Sequence, residues 1–209
     1  MKYWFGMLCL LLAGCQSKFN SEQQMHAWLN DPKHGLRADK QLEGLSLQVK
    51  YLPPDYLVYR ELKGKPYNRH AVDSLRARYQ ATRTFLLTVS FDGHDTPSGN
   101  VLFYGINDPK EYKRRIEALN FAIGDYVSVR AGGKEFRPLL SAFENLYTVG
   151  NKRTLYLVFG EDEHNRGLLG ADTLDFTFQD WIFESGINHF VFNKEHLDNT
   201  PKIDFWAYQ

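Results

Sequence analysis

"TLYLVF", residues 154–159, is apolar at five consecutive positions, Leu155 to Phe159. A strand with one wet face alternates polar and apolar residues, whereas a strand covered on both faces reads as an unbroken apolar run. The segment therefore predicts a central strand with neighbours on both sides. What lies around it decides the fold. From Tyr126 to the end, strand-like segments follow one another with only turn signals between them. "YVSVRAGGKEFRPLL" (126–140) reads as a hairpin around Gly132-Gly133, with Pro138 marking an edge or bulge. "TLDFTF" (173–178) puts Leu174, Phe176 and Phe178 on one face, and "HFVFN" (189–193) and "IDFWAY" (203–208) close the chain as strands. Parallel pairing needs a crossover of a dozen or more residues, usually a helix. No helical pattern separates these segments, so βαβ winding is the weaker alternative and an antiparallel sandwich is expected.

Upstream, "LSLQVKY" (45–51) alternates with Leu45, Leu47, Val49 and Tyr51 on one face. "TFLLTVSF" (84–91) and "VLFYGI" (101–106) read as the arms of a hairpin joined by the long loop "DGHDTPSGN" (92–100). Helical patterns are fewer. Ser21 and Gln24 form a capping box before Met25, Trp28 and Leu29. Residues 68–80 carry Val72, Leu75 and Tyr79 on one stripe. Asp108, Pro109 and Glu111 supply the cap, first residue and third residue of a helix reaching to about 121, with Tyr112, Ile116 and Leu119 inward. "PPDYLVYRELKGK" (53–65) is ambiguous, its prolines favouring a short helix and Gly64 a stop. The expected class is α+β and mainly β: an antiparallel β-sandwich-like domain with two or three short helices, spanning residues 21–209.

The first fourteen residues have a different character. Met1 and Lys2 give a positive start, twelve uncharged residues follow, and Gln16, Ser17 and Lys18 end the run. This matches a secretory signal and is too short for a spanning helix, which needs about 20 apolar residues. Leu12, Ala13, Gly14 and Cys15 resemble the lipobox of bacterial lipoproteins. The resemblance covers the N-terminal 15 to 18 residues. It implies cleavage after Gly14, a diacylglyceryl thioether on Cys15, and a tether over residues 15–20. Gln16 stands where the same families place aspartate for inner-membrane retention, so the resemblance points to the outer membrane of a two-membrane host. Cys9 would leave with the signal, so the mature chain has no disulfide to form.

Cleavage leaves the mature chain one acidic side chain in excess. That balance exerts no long-range attraction on nucleic acid or anionic lipid. The resemblance makes the expected partners the membrane, through the Cys15 lipid, and an envelope protein. Fifteen Phe and twelve Tyr favour packed β-structure over disorder.

Few residues suggest chemistry. Asp92, His94 and Asp95 sit in a turn-rich loop, where Asp and Gly ordinarily serve the backbone. Glu161, Asp162, Glu163 and His164 cluster in "GEDEHNRG" (160–167), but without the alternating ligand spacing of a Ca²⁺ loop. The seven histidines show no metal-site spacing, and no nucleophile elbow, P-loop or dinucleotide fingerprint occurs. No cofactor is indicated. "KEYKRR" (110–115), and Arg69, Arg76, Arg78 and Arg83, form basic patches that could meet lipid headgroups, though a solvated helix face is the ordinary reading. The sequence thus implies a non-enzymatic, membrane-anchored envelope lipoprotein with binding or accessory duties, its recognition loops at 92–100 and 161–171. The alternative is a glycan- or peptidoglycan-binding protein or hydrolase.

Overall fold

The computed structural model describes residues 18–19, 21–91, 100–106, 108–143 and 150–208. Cys15 and the loop carrying Asp92, His94 and Asp95 lie outside the described residues. In chain order the elements are β1 (Lys18–Phe19), α1 (Glu22–Asn30), β2 (Arg37–Gln41), β3 (Leu45–Leu52), α2 (Pro54–Leu62), α3 (Arg69–Gln80) and β4 (Thr82–Phe91). There follow α4 (Pro109–Glu117), α5 (Ile123–Tyr126), β5 (Val127–Ala131), β6 (Lys134–Phe136), β7 (Leu140–Phe143), β8 (Lys152–Gly160), β9 (Thr173–Asp180), β10 (Gly186–Asn193), α6 (Lys194–Asp198) and β11 (Lys202–Ile203).

Two antiparallel sheets face each other, one ordered β2-β3-β4-β8-β7 and the other β10-β9-β5-β6. The expected fold class is what the chain adopts. Strand periodicity explains the packing: on β3, β4 and β8 the odd-numbered residues point inward, so Val49, Leu87 and Leu155 fall in register across the large sheet. Even-numbered Phe176, Phe190 and Phe192 meet them from the small sheet. Phe85 is the centre of this interlock, its ring 5.5 Å from Phe176 and 5.2 Å from Phe192. Burying one such ring contributes about 1.5–3 kcal/mol. The expected central strand is β8, between β4 and β7. The expected hairpin is β5–β6, whose turn residues Gly132 (φ +55°) and Gly133 (φ +78°) adopt the left-handed geometry that matches strand twist. After β6 the chain passes to the large sheet, and Pro138 stands at that switch.

Helices α2 and α3 cover the outer face of the large sheet. Tyr156, which points outward from β8, lies within electrostatic reach of Arg60, Glu61 and Arg78 on these helices, and burial raises its pKa. Arg76 clamps the pair by donating to both Asp55 oxygens at 2.6 and 2.8 Å, and Asp55 also accepts from the Ile203 N–H.

Several expectations are corrected. Residues 101–106 are not a strand; Val101–Phe103 form a 3₁₀ turn capped by Asn100. Both sides of β4 are taken, by β3 and β8, so no place remains for a hairpin partner. "IDFWAY" gives only the two residues of β11, which pair in parallel with β1, and then a 3₁₀ turn over Phe205–Tyr208. Helices exceed the two or three expected. The helix from Pro109 runs to Glu117 and continues as a π-helical turn over Ala118–Ala122. The arginine patch on residues 69–83 is dispersed: Arg76 is bound by Asp55, Arg78 by Glu61, and Arg83 is buried beside Tyr51 and the Leu169 carbonyl.

Candidate functional site

Of the acidic residues singled out in sequence, Glu161 and Asp162 turn inward on their own loop. Glu161 Oε1 accepts from the N–H groups of Gly167 (3.0 Å) and Leu169 (2.8 Å), and these donors hold its pKa below the ordinary value. Asp162 Oδ1 accepts from the N–H groups of His164 and Asn165, both at 2.7 Å, with the same effect. Glu163 is exposed. Carboxylates engaged by backbone donors fold a loop; they do not converge on a cation. Among the described residues no group of three or more His, Cys, Asp or Glu is placed to hold a metal.

A more organised constellation surrounds α4 and the loop after β9. Arg115 is buried although it carries charge. Its sequence position shows why: it falls on the stripe Tyr112, Arg115, Ile116, Leu119 at i, i+3, i+4 and i+7, the inward face of the helix. The guanidinium donates through Nη1 to the carbonyls of Leu102 (3.1 Å) and Tyr104 (2.6 Å), satisfying the 3₁₀ turn. It also lies 4.8 Å from the Phe183 ring centroid. Burial lowers its pKa, and the charges of Asp180, Glu184 and Glu111 oppose that fall. Asp180 is fully buried and organises the opposing wall. Its carboxylate accepts from the N–H groups of Ile182 (3.0 Å), Phe183 (2.8 Å) and Ser185 (3.3 Å), and from the Ser185 hydroxyl. The loop so fixed holds Glu184 at φ +62°, the only described non-glycine residue with positive φ.

Between these walls opens a cleft of about 400 Å³, lined among others by Glu111, Arg114, Arg115, Tyr126, Trp181 and Glu184. Trp181 is 67% exposed. Backbone strain of this kind persists where surrounding structure over-determines it, often at binding sites.

The π-helical turn that follows α4 links this cleft to a second feature. It presents Phe121, 87% exposed, and packs beside β7, whose first residue Leu140 is 54% exposed and is preceded by Leu139, 63% exposed. β7 is an edge strand, paired with β8 alone among the described strands. Three large apolar side chains are thus exposed next to a strand edge that has no partner among the described strands. π-turns recur at functional positions. Sequence reading passed over Trp181, Glu184 and Phe121 and placed Arg115 in the "KEYKRR" basic patch, which the structure corrects by burying it; an arginine inside the apolar stripe of α4 was the signal that could have found it.

No family model matches the chain, and no curated protein matches it. Two solved structures share a distant likeness. One is a protein of unknown function from Burkholderia pseudomallei, 10% identical over 86% of this chain and 88% of the other, with a TM-score of 0.39. The other is a DUF4426 family protein from Pseudomonas aeruginosa, 13% identical over 76% of this chain and 93% of the other, with a TM-score of 0.33.

Proposed function

We propose that this is a lipid-anchored envelope protein that acts by binding a protein partner rather than by chemistry, with the β7 edge and the π-helical turn as its working surface. The observation that carries the reading is the exposure of Phe121, Leu139 and Leu140 together at that edge. Exposed apolar side chains beside an edge strand are costly for a lone protein, because they invite pairing with other chains. That cost is removed when a partner's strand adds to the edge and its apolar side chains cover the leucines. The lipobox at Leu12–Cys15 supports the anchor, which would hold such a protein at the membrane where its partner works.

The test is photo-crosslinking in cells. A photoreactive residue replacing Leu139 should capture one discrete protein, and Leu140→Lys should abolish that adduct without lowering the melting temperature. A probe at Lys113, exposed on α4, should capture nothing. Equal, diffuse adducts from both positions would sink the reading.

One observation favours a second reading. The cleft pairs exposed Trp181 with Tyr126 and with Glu111 and Glu184, groups suited to stacking on a sugar face and binding its hydroxyls. Binding of a peptidoglycan fragment that is lost in Trp181→Ala, with Leu139 crosslinks absent, would establish that reading instead.

A further inference from the structure

The described chain begins at Lys18, three residues beyond Cys15. There β1 lies parallel to β11, with Lys18 beside Lys202 and Phe19 beside Ile203. Three extended residues reach about 10 Å. A bilayer's headgroup layer is itself some 5–8 Å deep on each side of the hydrocarbon. A lipid on Cys15 therefore holds the surroundings of Lys18 against the membrane surface, whatever the rest of the molecule does.

Those surroundings have an interfacial chemistry. Lys18, Arg69, Lys202 and Trp206 line one hollow. A second, of about 540 Å³, has a floor of Leu62, Tyr67 and Phe205 and a rim that includes Lys65. The Tyr67 ring, 5.9 Å from Trp206, joins the two. Trp206 is 45% exposed, and the Arg69 guanidinium stands 5.9 Å from its ring centroid. Lys65, Arg69 and Lys202 are exposed, with no carboxylate within 4.0 Å among the described residues. The acids nearby are engaged: Asp204 by Lys18 at 4.0 Å, Asp73 by Arg76 at 3.8 Å, and Glu22 by Lys63 at 2.6 Å. Free cations around an aromatic residue are the composition of a membrane interface, where Trp and Tyr settle at headgroup depth and Lys and Arg meet anionic lipid.

We infer that this corner, Lys18, Lys65, Arg69, Lys202, Tyr67 and Trp206, is a docking surface for the anionic headgroups of the membrane that carries the Cys15 lipid. The inference rests on the lipid-anchor reading and adds to it an orientation. β10 separates the two ends of the molecule: Gly186 adjoins the Trp181 loop, while Asn193 leads through α6 to β11. Its eight residues span about 26 Å. Docking at β11 therefore leaves the Trp181 cleft clear of the bilayer.

The experiment uses the full-length lipidated protein in vesicles of phosphatidylethanolamine and phosphatidylglycerol containing brominated acyl chains, which quench nearby tryptophan. Trp206→Phe should remove most of the quenching and Trp181→Phe none. The triple variant Lys65→Glu, Arg69→Glu, Lys202→Glu should lose it too, since each basic side chain removed lowers the docked-to-undocked ratio about fivefold. Palmitate labelling is followed in parallel. Labelled protein whose Trp206 is unquenched overturns the inference alone, and so does quenching of Trp181 in its place. Protein without lipid label overturns the anchor reading, and the inference with it. Trp206 shielded equally in phosphatidylcholine vesicles, and only at concentrations where the protein self-associates, would assign the surface to a second copy and overturn the lipid.

Discussion

Asp180 and Arg115 carry opposite charges into the facing walls of one cleft, and each resolves its burial differently. Asp180 sits at the end of β9 and collects three backbone donors and a hydroxyl. Arg115 reaches the carbonyls of a 3₁₀ turn that no sheet serves. Removing Asp180 leaves buried N–H groups unpaired, at roughly 1–3 kcal/mol for each group stranded. Asp180→Ala should therefore destabilise the protein by about 3 kcal/mol, read as a fall in the urea midpoint at unchanged slope. Asp180→Asn retains one acceptor oxygen and should lose less. Equal midpoints for Asp180→Ala and the parent would show that the loop is held by other means. Neither residue announced itself in sequence: Arg115 read as one cation of the basic "KEYKRR" patch, although it interrupts the apolar stripe of α4 and is buried. Asp180 drew no reading, because its partners are backbone groups that composition does not reveal. The same blindness affected Glu161 and Asp162: three acidic letters in a row suggested a site, and the donors that engage them are invisible in one-letter code.

At the scale of elements, alternation was the reliable signal and continuity the unreliable one. β3 and β9 were legible because each presents one apolar face, and β8 because it presents two. "VLFYGI" has the same apolar continuity as β8, yet it forms a 3₁₀ turn, because strands with longer registers had already filled both sides of β4. β2, reading "RADKQ", has no apolar alternation at all and forms as an edge strand on the ladder offered by β3. The β5–β6 turn was legible from its glycines, and their geometry makes a definite prediction. Gly133 has φ +78° with open space around its Cα, so an alanine there meets no clash and suffers only from the left-handed backbone. Gly133→Ala should cost about 1–2 kcal/mol. Gly170, which also has open space but no positive φ, provides the control, and alanine there should be near neutral. Equal losses at both positions would place the cost in side-chain contact instead.

For the whole molecule, the sandwich was legible from the spacing of strands, but the covering helices and the parallel β1–β11 pair were not, since the latter joins residues at opposite ends of the sequence. On the proposed anchor reading that pairing ties fold to location, because the last strand receives the segment that follows Cys15. The balance of the whole against pH is a further consequence of individual contacts. Glu61, held by Tyr79 and Arg78, and Glu161, held by backbone donors, have folded pKa values below their unfolded ones. Such groups stabilise the fold above the unfolded carboxylate value of about 4.3, and that contribution is lost as pH falls through the lower folded values. On the alkaline side the buried phenols act in the opposite sense. Burial raises the pKa of Tyr51, Tyr79 and Tyr156. Their contribution is complete below the unfolded value of about 10 and is lost as pH rises through the folded ones. Stability should therefore form a plateau across neutral pH, bounded by an acid limb starting near 4.3 and an alkaline limb starting near 10. Urea midpoints measured across that range check the shape. Glu161→Gln should shrink the acid limb and leave the alkaline one unchanged, while Tyr51→Phe should do the reverse. An acid limb that begins instead near 6.5, where histidines titrate, and survives Glu161→Gln would assign the transition to imidazoles and contradict this account.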